Sequence, residues 1–344
     1  MNYLVLGGAG FIGSDFVRLL SQRNGVGIVV VDSLTYAGHL ARIQDLVEDG
    51  RVSFVQMDAR NPELADYIVG ADVVVNFAAE THVDRSNNPE TYETFVGSNV
   101  GVVANVLRGI MKHPGVWFHQ VSTDEVYGPT VKGSCTEASE VSPKNFYAAT
   151  KASADLLVQA HANVHPTNWS ITRCCNNVGP WQEDEKLVPK VVRNVLLGET
   201  IPVYGNGLQQ REWIHIRDHN RAILHVIENR LSGVWNVGTG ACLCNIDLIR
   251  RVCNMIDTEV RKSAVLRSAW PSCFARTKTV PSTQLIRLVE DRPGHDVRYA
   301  LNSEKLRATG WSPSYDTDHA LDDTITWSLN HLASDIPTVV DGLV

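Results

Sequence analysis

Three glycines spaced three residues apart, Gly7, Gly10 and Gly13, follow directly on the apolar run Tyr3 to Leu6 and open a segment, Phe11 to Leu20, with helical periodicity. Few short patterns restrict a fold as much. A strand that turns at once into a helix, with no side chains in the way, leaves backbone amides at the helix N-terminus facing a pyrophosphate. The next apolar run, Ile28 to Val31, ends at Asp32, about 20 residues beyond Gly13, where a carboxylate accepts the ribose hydroxyls of a dinucleotide. The same carboxylate repels the additional phosphate of NADP, and no Arg follows Asp32 immediately, so the expected cofactor is NAD. Asp58, just after a third apolar run, suits either the adenine end of that cofactor or an ordinary strand-end turn.

Further strand-length runs at Val52 to Val55, Val73 to Phe77 and Val116 to Val121 alternate with helix-like stretches. That rhythm predicts an α/β fold, a doubly wound parallel Rossmann sheet with a smaller C-terminal substrate-binding lobe. The 344 residues, 44% of them hydrophobic, divide on this reading into an NAD-binding domain at 1–173 and a lobe at 174–344 that is mainly for substrate, with segments returning to the core. Turn clusters at Asn206-Gly207, Gly238-Thr239-Gly240 and Pro293-Gly294 break up the second part. The predicted helix from Thr91 to Lys112 carries Phe95, Val96, Val100, Val103, Ala104 and Leu107, more apolar surface than one face requires, which points to a homodimer.

A formal net charge of -7 argues against nucleic acid as a partner. No apolar stretch is long enough to span a membrane, and Tyr3 to Leu6, without a basic leader, reads as a buried strand. Seven cysteines without a regular framework suit thiols in a reducing cytoplasm. Cys174-Cys175 and Cys242/Cys244 lack a second pair at zinc spacing, so no metal is assigned. The stretch Val260 to Val289, with Arg261, Lys262, Arg267, Arg276, Lys278 and Arg287, reads as a solvated surface insertion.

Tyr147 and Lys151 stand four residues apart at the start of an alanine-rich helix, so both side chains fall on one face. An ammonium fixed beside a phenolate favours the ionised form and makes Tyr147 a usable proton acceptor. Ser122-Thr123-Asp124-Glu125-Val126-Tyr127-Gly128 follows the strand ending near Val121, at the sheet edge where such folds place their active sites. Hydride transfer needs only a base and a polarising hydroxyl, for which Tyr147 and Thr123 suffice. Asp124 and Glu125 therefore imply further proton transfers, although a capping or solvated acidic turn explains the pair equally well when it is taken alone.

With these motifs and with Ala78-Ala79-Glu80-Thr81-His82-Val83-Asp84-Arg85-Ser86, Asn176-Asn177, Glu185-Lys186-Leu187, Arg211-Glu212-Trp213 and Glu290-Asp291-Arg292-Pro293-Gly294-His295-Asp296, the chain resembles the dTDP-glucose 4,6-dehydratases, a branch of the extended short-chain dehydrogenases, over nearly its whole length. The resemblance implies that a nucleoside-diphosphate-glucose, dTDP-glucose first of all, loses water and becomes a 4-keto-6-deoxy sugar with transient reduction of NAD. Tyr147 would take the O4 proton, Thr123 hold that hydroxyl, Glu125 remove C5-H and Asp124 protonate the departing C6 hydroxyl. Gly7, Gly10, Phe11, Ile12, Gly13, Asp32, Leu34, Thr35, Asp58, Ala59, Ala78, Ala79, Asn99, Tyr147, Lys151 and Asn177 would bind the cofactor. Thr81, His82, Thr123, Asn176, Lys186, Leu187, Pro202, Tyr204, Arg211, Asn245, Arg292 and His295 would bind the substrate, the two arginines because a guanidinium fork matches phosphate oxygens. Leu6 in place of a usual Thr, Val178 in place of a usual Tyr and the long basic stretch depart from the family pattern. An epimerase or decarboxylase on the same scaffold, which has no leaving hydroxyl at C6 for Asp124 to protonate, and a non-catalytic NAD sensor are the competing readings.

Overall fold

The computed structural model describes residues 1–270, 272–273, 280–291 and 296–334. Its largest sheet contains β1 (Asn2–Leu6), β2 (Gly27–Asp32), β3 (Ser53–Gln56), β4 (Val73–Asn76), β5 (Trp117–Thr123), β6 (Asn168–Cys174) and the strand Gly233–Val237. All seven are parallel, with β4 in the centre between β5 and β1, β1 next to β2, β3 at one edge and Gly233–Val237 at the other. Both faces are covered, which accounts for the nearly continuous apolar runs. Tyr3 and Val5 pack with Phe16, Val17, Leu20 and Ile223 on one side, while Leu4 and Leu6 pack with Val103, Val106, Phe118 and Ile171 on the other. Each such side chain, fully buried, contributes about 1.5–3 kcal/mol. Leu6, which departs from the family pattern, is simply part of this core.

Where the chain leaves β1 toward β2 and β4 toward β5, in opposite directions across the sheet, the strand ends open the position at which such sheets bind ligands. The helix α1 (Phe11–Ser21) begins there, directly after the glycine turn. Gly7 has φ +75°, and a Cβ on it would lie 2.6 Å from the nitrogen of Ala78. One on Gly13 would lie 2.2 Å from the carbonyl oxygen of Gly7. Neither position accepts a side chain.

The chain forms two compact units, the first made of Met1–Asn177, Glu212–Cys242 and Asp296–Ser314, the second of Val178–Arg211, Leu243–His295 and Tyr315–Val344. The second unit has helices Leu187–Leu197, Asn245–Lys262 and Thr317–Ser334, and a parallel pair of strands, Ile201–Tyr204 with Ile286–Val289. Most described residues of the basic stretch are exposed or half-buried, in keeping with a solvated segment, but the stretch is anchored to the unit. Val260 and Leu285 are buried, and the stretch ends in a strand paired with Ile201–Tyr204. Its arginines are bound locally: Arg261 pairs with Asp257 at 3.5 Å, and Arg287 donates to the carbonyls of Gln284 and Ile286. Arg276 and Lys278 lie outside the described residues.

The helix expected from Thr91 to Lys112 is realised as Tyr92–Val96 and Val102–Ile110 joined through a π-turn at Gly97–Gly101. Phe95, Val103 and Leu107 are buried within their own unit, so much of the surplus apolar surface is accounted for there. Val96, 45% exposed, and Leu156, 54% exposed on the helix Phe146–Val164, are not. Among the described residues no helix is long and apolar enough to cross a membrane, and all seven cysteines are free thiols.

Candidate active site

A groove of about 190 Å³ lies over the strand ends of the first unit, lined by Gly7, Gly10, Asp32, Thr35, Asp58, Ala59, Ala78 and Ala79 among others. Asp32 is held rigidly at its base. Its carboxylate oxygens accept from the amides of Ala9 and Leu34, each at 2.9 Å. Leu34 adopts φ +51°, a conformation that costs a non-glycine residue energy and here turns its amide back to Asp32. Asp58 accepts from the Arg60 amide at 2.8 Å and from its guanidinium, which holds the Asp58 carboxyl below the usual range. The glycine cradle and the fixed carboxylate fit a dinucleotide: no Cβ obstructs the turn, and the acceptor at Asp32 is preorganised.

The other proposed cofactor residues are placed differently. Phe11, Ile12 and Gly13 form the first turn of α1, with the Ile12 carbonyl accepting from Asn220 at 3.0 Å. Asn99, on the π-turn, is wholly engaged: it bridges the backbone of Glu80 through bonds of 2.8 and 3.0 Å and donates to Thr150 at 2.8 Å. Asn177 donates to the Cys175 carbonyl at 3.1 Å and lies 3.0 Å from Nδ1 of His219. Ser33, Gly38, Arg60 and Glu80 also line the groove and were not singled out from sequence. Glu80 stands in the Ala78–Ser86 motif, and Ser33 directly follows Asp32.

At the end of β5, Thr123 caps a 3-10 turn over Asp124–Tyr127, its Oγ1 accepting from the Glu125 amide at 3.3 Å and donating to Asp124 at 3.3 Å. Asp124 is buried and Glu125 half-buried. The helix carrying Tyr147 starts at Asn145, whose side chain accepts from the Ala148 amide at 2.8 Å and donates to Oε2 of Glu125 at 3.0 Å. Asn145 thus caps the catalytic helix and fixes the carboxylate. Its position just before the helix was a legible capping signal, but its hold on Glu125 was not. The Tyr147 amide donates to Oγ of Ser86 at 3.1 Å, tying the helix to the loop where His82 caps Val83–Ser86 and Thr81 precedes it.

The electrostatics of the Tyr147/Lys151 pair differ from the expectation. Burial pushes Tyr147 upward, Glu125 and Asp124 add to the rise, and the hydrogen bond with Thr123 opposes it. The Lys151 ammonium donates to the Val121 carbonyl at 2.7 Å. Burial lowers Lys151 to about 8, against the pull of Asp155. Two residues on one helical face share a side without sharing a bond, and desolvation is the larger influence on both. Beneath them lies a buried network that sequence reasoning missed: Asp155 accepts from Ser122 at 3.0 Å and from Arg173 at 2.9 Å, and Arg173 stacks on Tyr127. No local pattern announces it.

Of the expected substrate residues, Thr81, His82, Thr123 and Asn176 belong to the first unit and Lys186, Leu187, Pro202, Tyr204, Arg211 and Asn245 to the second. In the latter, Pro202 and Tyr204 lie on the strand Ile201–Tyr204, Leu187 opens its helix after Lys186, and Asn245 donates its amide to the Gln209 carbonyl at 2.9 Å. The Asn245 side-chain carbonyl is buried without a partner. Arg211 is 7% exposed and donates to the Gln210 carbonyl at 2.8 Å. Arg292 and His295 lie outside the described residues. Among the described residues, no group of three or more His, Cys, Asp or Glu side chains is arranged to hold a metal ion.

Residues 3–238 match the model of the NAD dependent epimerase/dehydratase family. The chain is 40% identical over 332 residues to the low-salt glycan biosynthesis protein Agl12 of Haloferax volcanii, covering 96% of this chain and 99% of that one. It is 38% identical to a dTDP-glucose 4,6-dehydratase of Streptomyces niveus, over 95% of this chain and 92% of the relative. A dTDP-glucose 4,6-dehydratase of Streptomyces venezuelae, solved with NAD bound, superposes with a TM-score of 0.83 at 37% identity, covering 95% of this chain and 96% of the other. A UDP-glucuronic acid 4-epimerase of Bacillus cereus shares the fold at a TM-score of 0.84 and 21% identity. The chain belongs to the NAD dependent epimerase/dehydratase family and, within it, to the dTDP-glucose 4,6-dehydratases.

Proposed function

We propose that this protein dehydrates a nucleoside-diphosphate-glucose, dTDP-glucose first of all, to the 4-keto-6-deoxy sugar. The observation that carries the reading is the pair Asp124 and Glu125 at the end of β5, beside Thr123 and Tyr147, with Glu125 fixed by Asn145. A simple hydride-transfer site has no work for two further carboxyl groups; an elimination needs both. NAD is the cofactor, and when bound it takes up a hydride and later returns it, so it is recycled instead of exchanged.

The chain's own residues supply the proton transfers. Tyr147 accepts the proton of the sugar O4, which requires its phenolate to be favoured; the buried ammonium of Lys151, one helical turn on, is the cation at hand. Thr123 holds the same hydroxyl. A ketone at C4 acidifies C5-H, Glu125 removes that proton, and Asp124 protonates the C6 hydroxyl so that it leaves as water. Gly7, Gly10, Gly13 and the start of α1 hold the cofactor pyrophosphate, Asp32 its ribose, and Asp58 with Ala59 the adenine side. Asn176, Lys186, Leu187, Tyr204, Arg211 and Asn245, with Arg292 and His295, would hold the nucleotide diphosphate, and Thr81, His82 and Pro202 would also bind the substrate.

Asp124 separates this reading from an epimerase, in which no hydroxyl leaves from C6. Incubation with a panel of nucleotide glucoses, followed by mass spectrometry, tests it: one of them loses water. Turnover of every panel member without loss of mass refutes dehydration. Free thiols throughout fit a reducing cytoplasm. The exposed Val96 and Leu156 favour a homodimer, and light scattering at micromolar concentration that shows a monomer refutes it.

A further inference from the structure

A second cavity, of about 530 Å³, lies wholly within the first unit, lined by residues of the 133–134, 239–242 and 298–307 segments together with Glu212. None of Thr123, Asp124, Glu125, Tyr147 or Lys151 lines it. Its charged lining is unusual. Arg298 and Arg307 both contribute, and each is bonded to main-chain carbonyls: Arg298 donates to Gly133 at 2.6 Å and to Thr130 at 3.4 Å, and Arg307 to Thr239 at 2.9 Å. Neither guanidinium forms an ion pair with a described carboxylate. Arg298 uses one terminal nitrogen for both carbonyls and also hydrogen-bonds the Cys242 thiol, and Arg307 uses one terminal nitrogen, so donors remain on each guanidinium.

Ser303 lies in the same wall. It lines the same cavity, is 6% exposed, and its hydroxyl has no hydrogen-bond partner. A buried hydroxyl left unpaired is costly, and structures seldom tolerate it without a use. The acidic lining does not cancel the two arginines. The Glu212 carboxylate accepts from the amides of Gly240 at 2.9 Å and Leu301 at 2.8 Å and is consumed by the backbone. Glu304 is exposed on the rim.

We infer that this cavity binds a phosphoryl dianion, gripped by Arg298 and Arg307. Two planar forks with donors to spare suit a group with several equivalent oxygens better than a single carboxylate. The volume also lies within the range of small-molecule sites, so the dianion is either free phosphate or the head of a small phosphate ester.

The test uses the full-length protein saturated with NAD and with dTDP, so that the cofactor groove and the proposed diphosphate site are filled. Inorganic phosphate, and in a parallel arm glycerol 3-phosphate, is titrated by calorimetry. Binding of either is expected; tighter binding of the ester assigns the site to an organic phosphate, and equal or weaker binding to the free ion. Arg307→Gln, on an exposed side chain, is expected to weaken the interaction by about tenfold or more, the usual scale for one charge-assisted contact. Arg307→Lys is expected to lose less, and both variants to keep wild-type turnover in phosphate-free buffer. Arg298→Gln tests the second grip; should it fail to fold, Arg307→Gln decides alone. Absence of binding in both arms, or undiminished binding by Arg307→Gln, overturns the inference, and neither result touches the dehydration assay.

Discussion

Glu125→Gln separates dehydration from simple oxidation. The substitution removes the charge and keeps the shape: the Gln carbonyl can still accept the Asn145 bond that Oε2 accepts at 3.0 Å, so the turn after β5 should hold. The effect on the first step has a definite sign. Glu125 is the leading charge raising Tyr147, second only to burial, so neutralising it makes the phenolate easier to form, and proton removal at O4 should be unimpaired. The second step loses its base, and a positioned base contributes about 10²- to 10⁴-fold. At about 1.36 kcal/mol per decade, the barrier to elimination rises by about 2.7 to 5.4 kcal/mol. Stopped-flow absorbance of reduced nicotinamide after mixing with dTDP-glucose should rise and persist in Glu125→Gln, while product measured by mass spectrometry falls by at least a hundredfold. Tyr147→Phe should show neither signal. If Glu125→Gln gives no absorbance rise while Tyr147→Phe does, the assigned division of labour is wrong.

Asn145→Ala should cost about 1 kcal/mol in urea unfolding through loss of the helix cap, and should also lower turnover because Glu125 is released. Asn145→Asp keeps the cap and sets a second carboxylate against Glu125, so wild-type turnover by this variant would contradict the orienting role. At Asp32, the preorganised carboxylate should favour NAD over NADP by about tenfold or more in calorimetry, with Asp32→Asn narrowing the gap; equal affinities in the wild type would remove the argument. Lys151 gives a pH signature. Its folded value, about 8, lies below the ordinary 10.5, so between those values the unfolded chain binds the proton that the folded chain has released, and stability rises with pH. The burden is full below about 8, of the order of 3 kcal/mol, and is relieved as pH climbs toward 10.5. Relative to Lys151→Met, the wild type should therefore gain in urea midpoint from pH 8 to pH 10; parallel curves would show that the ammonium is not desolvated.

What could be read in advance was what depends on neighbours in sequence. The glycine turn, Asp32 at the end of β2 and the alternation of apolar runs are local necessities, because a close backbone approach excludes Cβ and both faces of a parallel strand must be apolar. The basic stretch shows the limit. Counting its charges suggested solvent, and Arg287, Leu288 and Val289 are exposed, but the pairing of Ile286–Val289 with Ile201–Tyr204 was not legible, since no composition predicts the partner of a strand more than eighty residues away. That segments of the second part return to the core was expected, but not that they are Glu212–Cys242 and Asp296–Ser314, a matter of chain topology that spacing alone does not determine.

The same distinction explains the Tyr147/Lys151 pair, where motif and geometry part company. Four residues of helical spacing put both side chains on one face, and that much is arithmetic. Which partner the ammonium takes depends on β5, whose Val121 carbonyl stands 2.7 Å away, and how readily the phenol ionises depends on how much water the surrounding unit excludes. Burial acts on the two groups in opposite directions, raising Tyr147 and lowering Lys151, so each is driven toward its neutral form. The phenol holds its proton more firmly and the ammonium less firmly, so moving the tyrosine proton to the lysine costs more here than in water. Removing negative charge near the phenol lowers that cost, and Glu125, the leading charge that raises Tyr147, is the residue whose removal should show it.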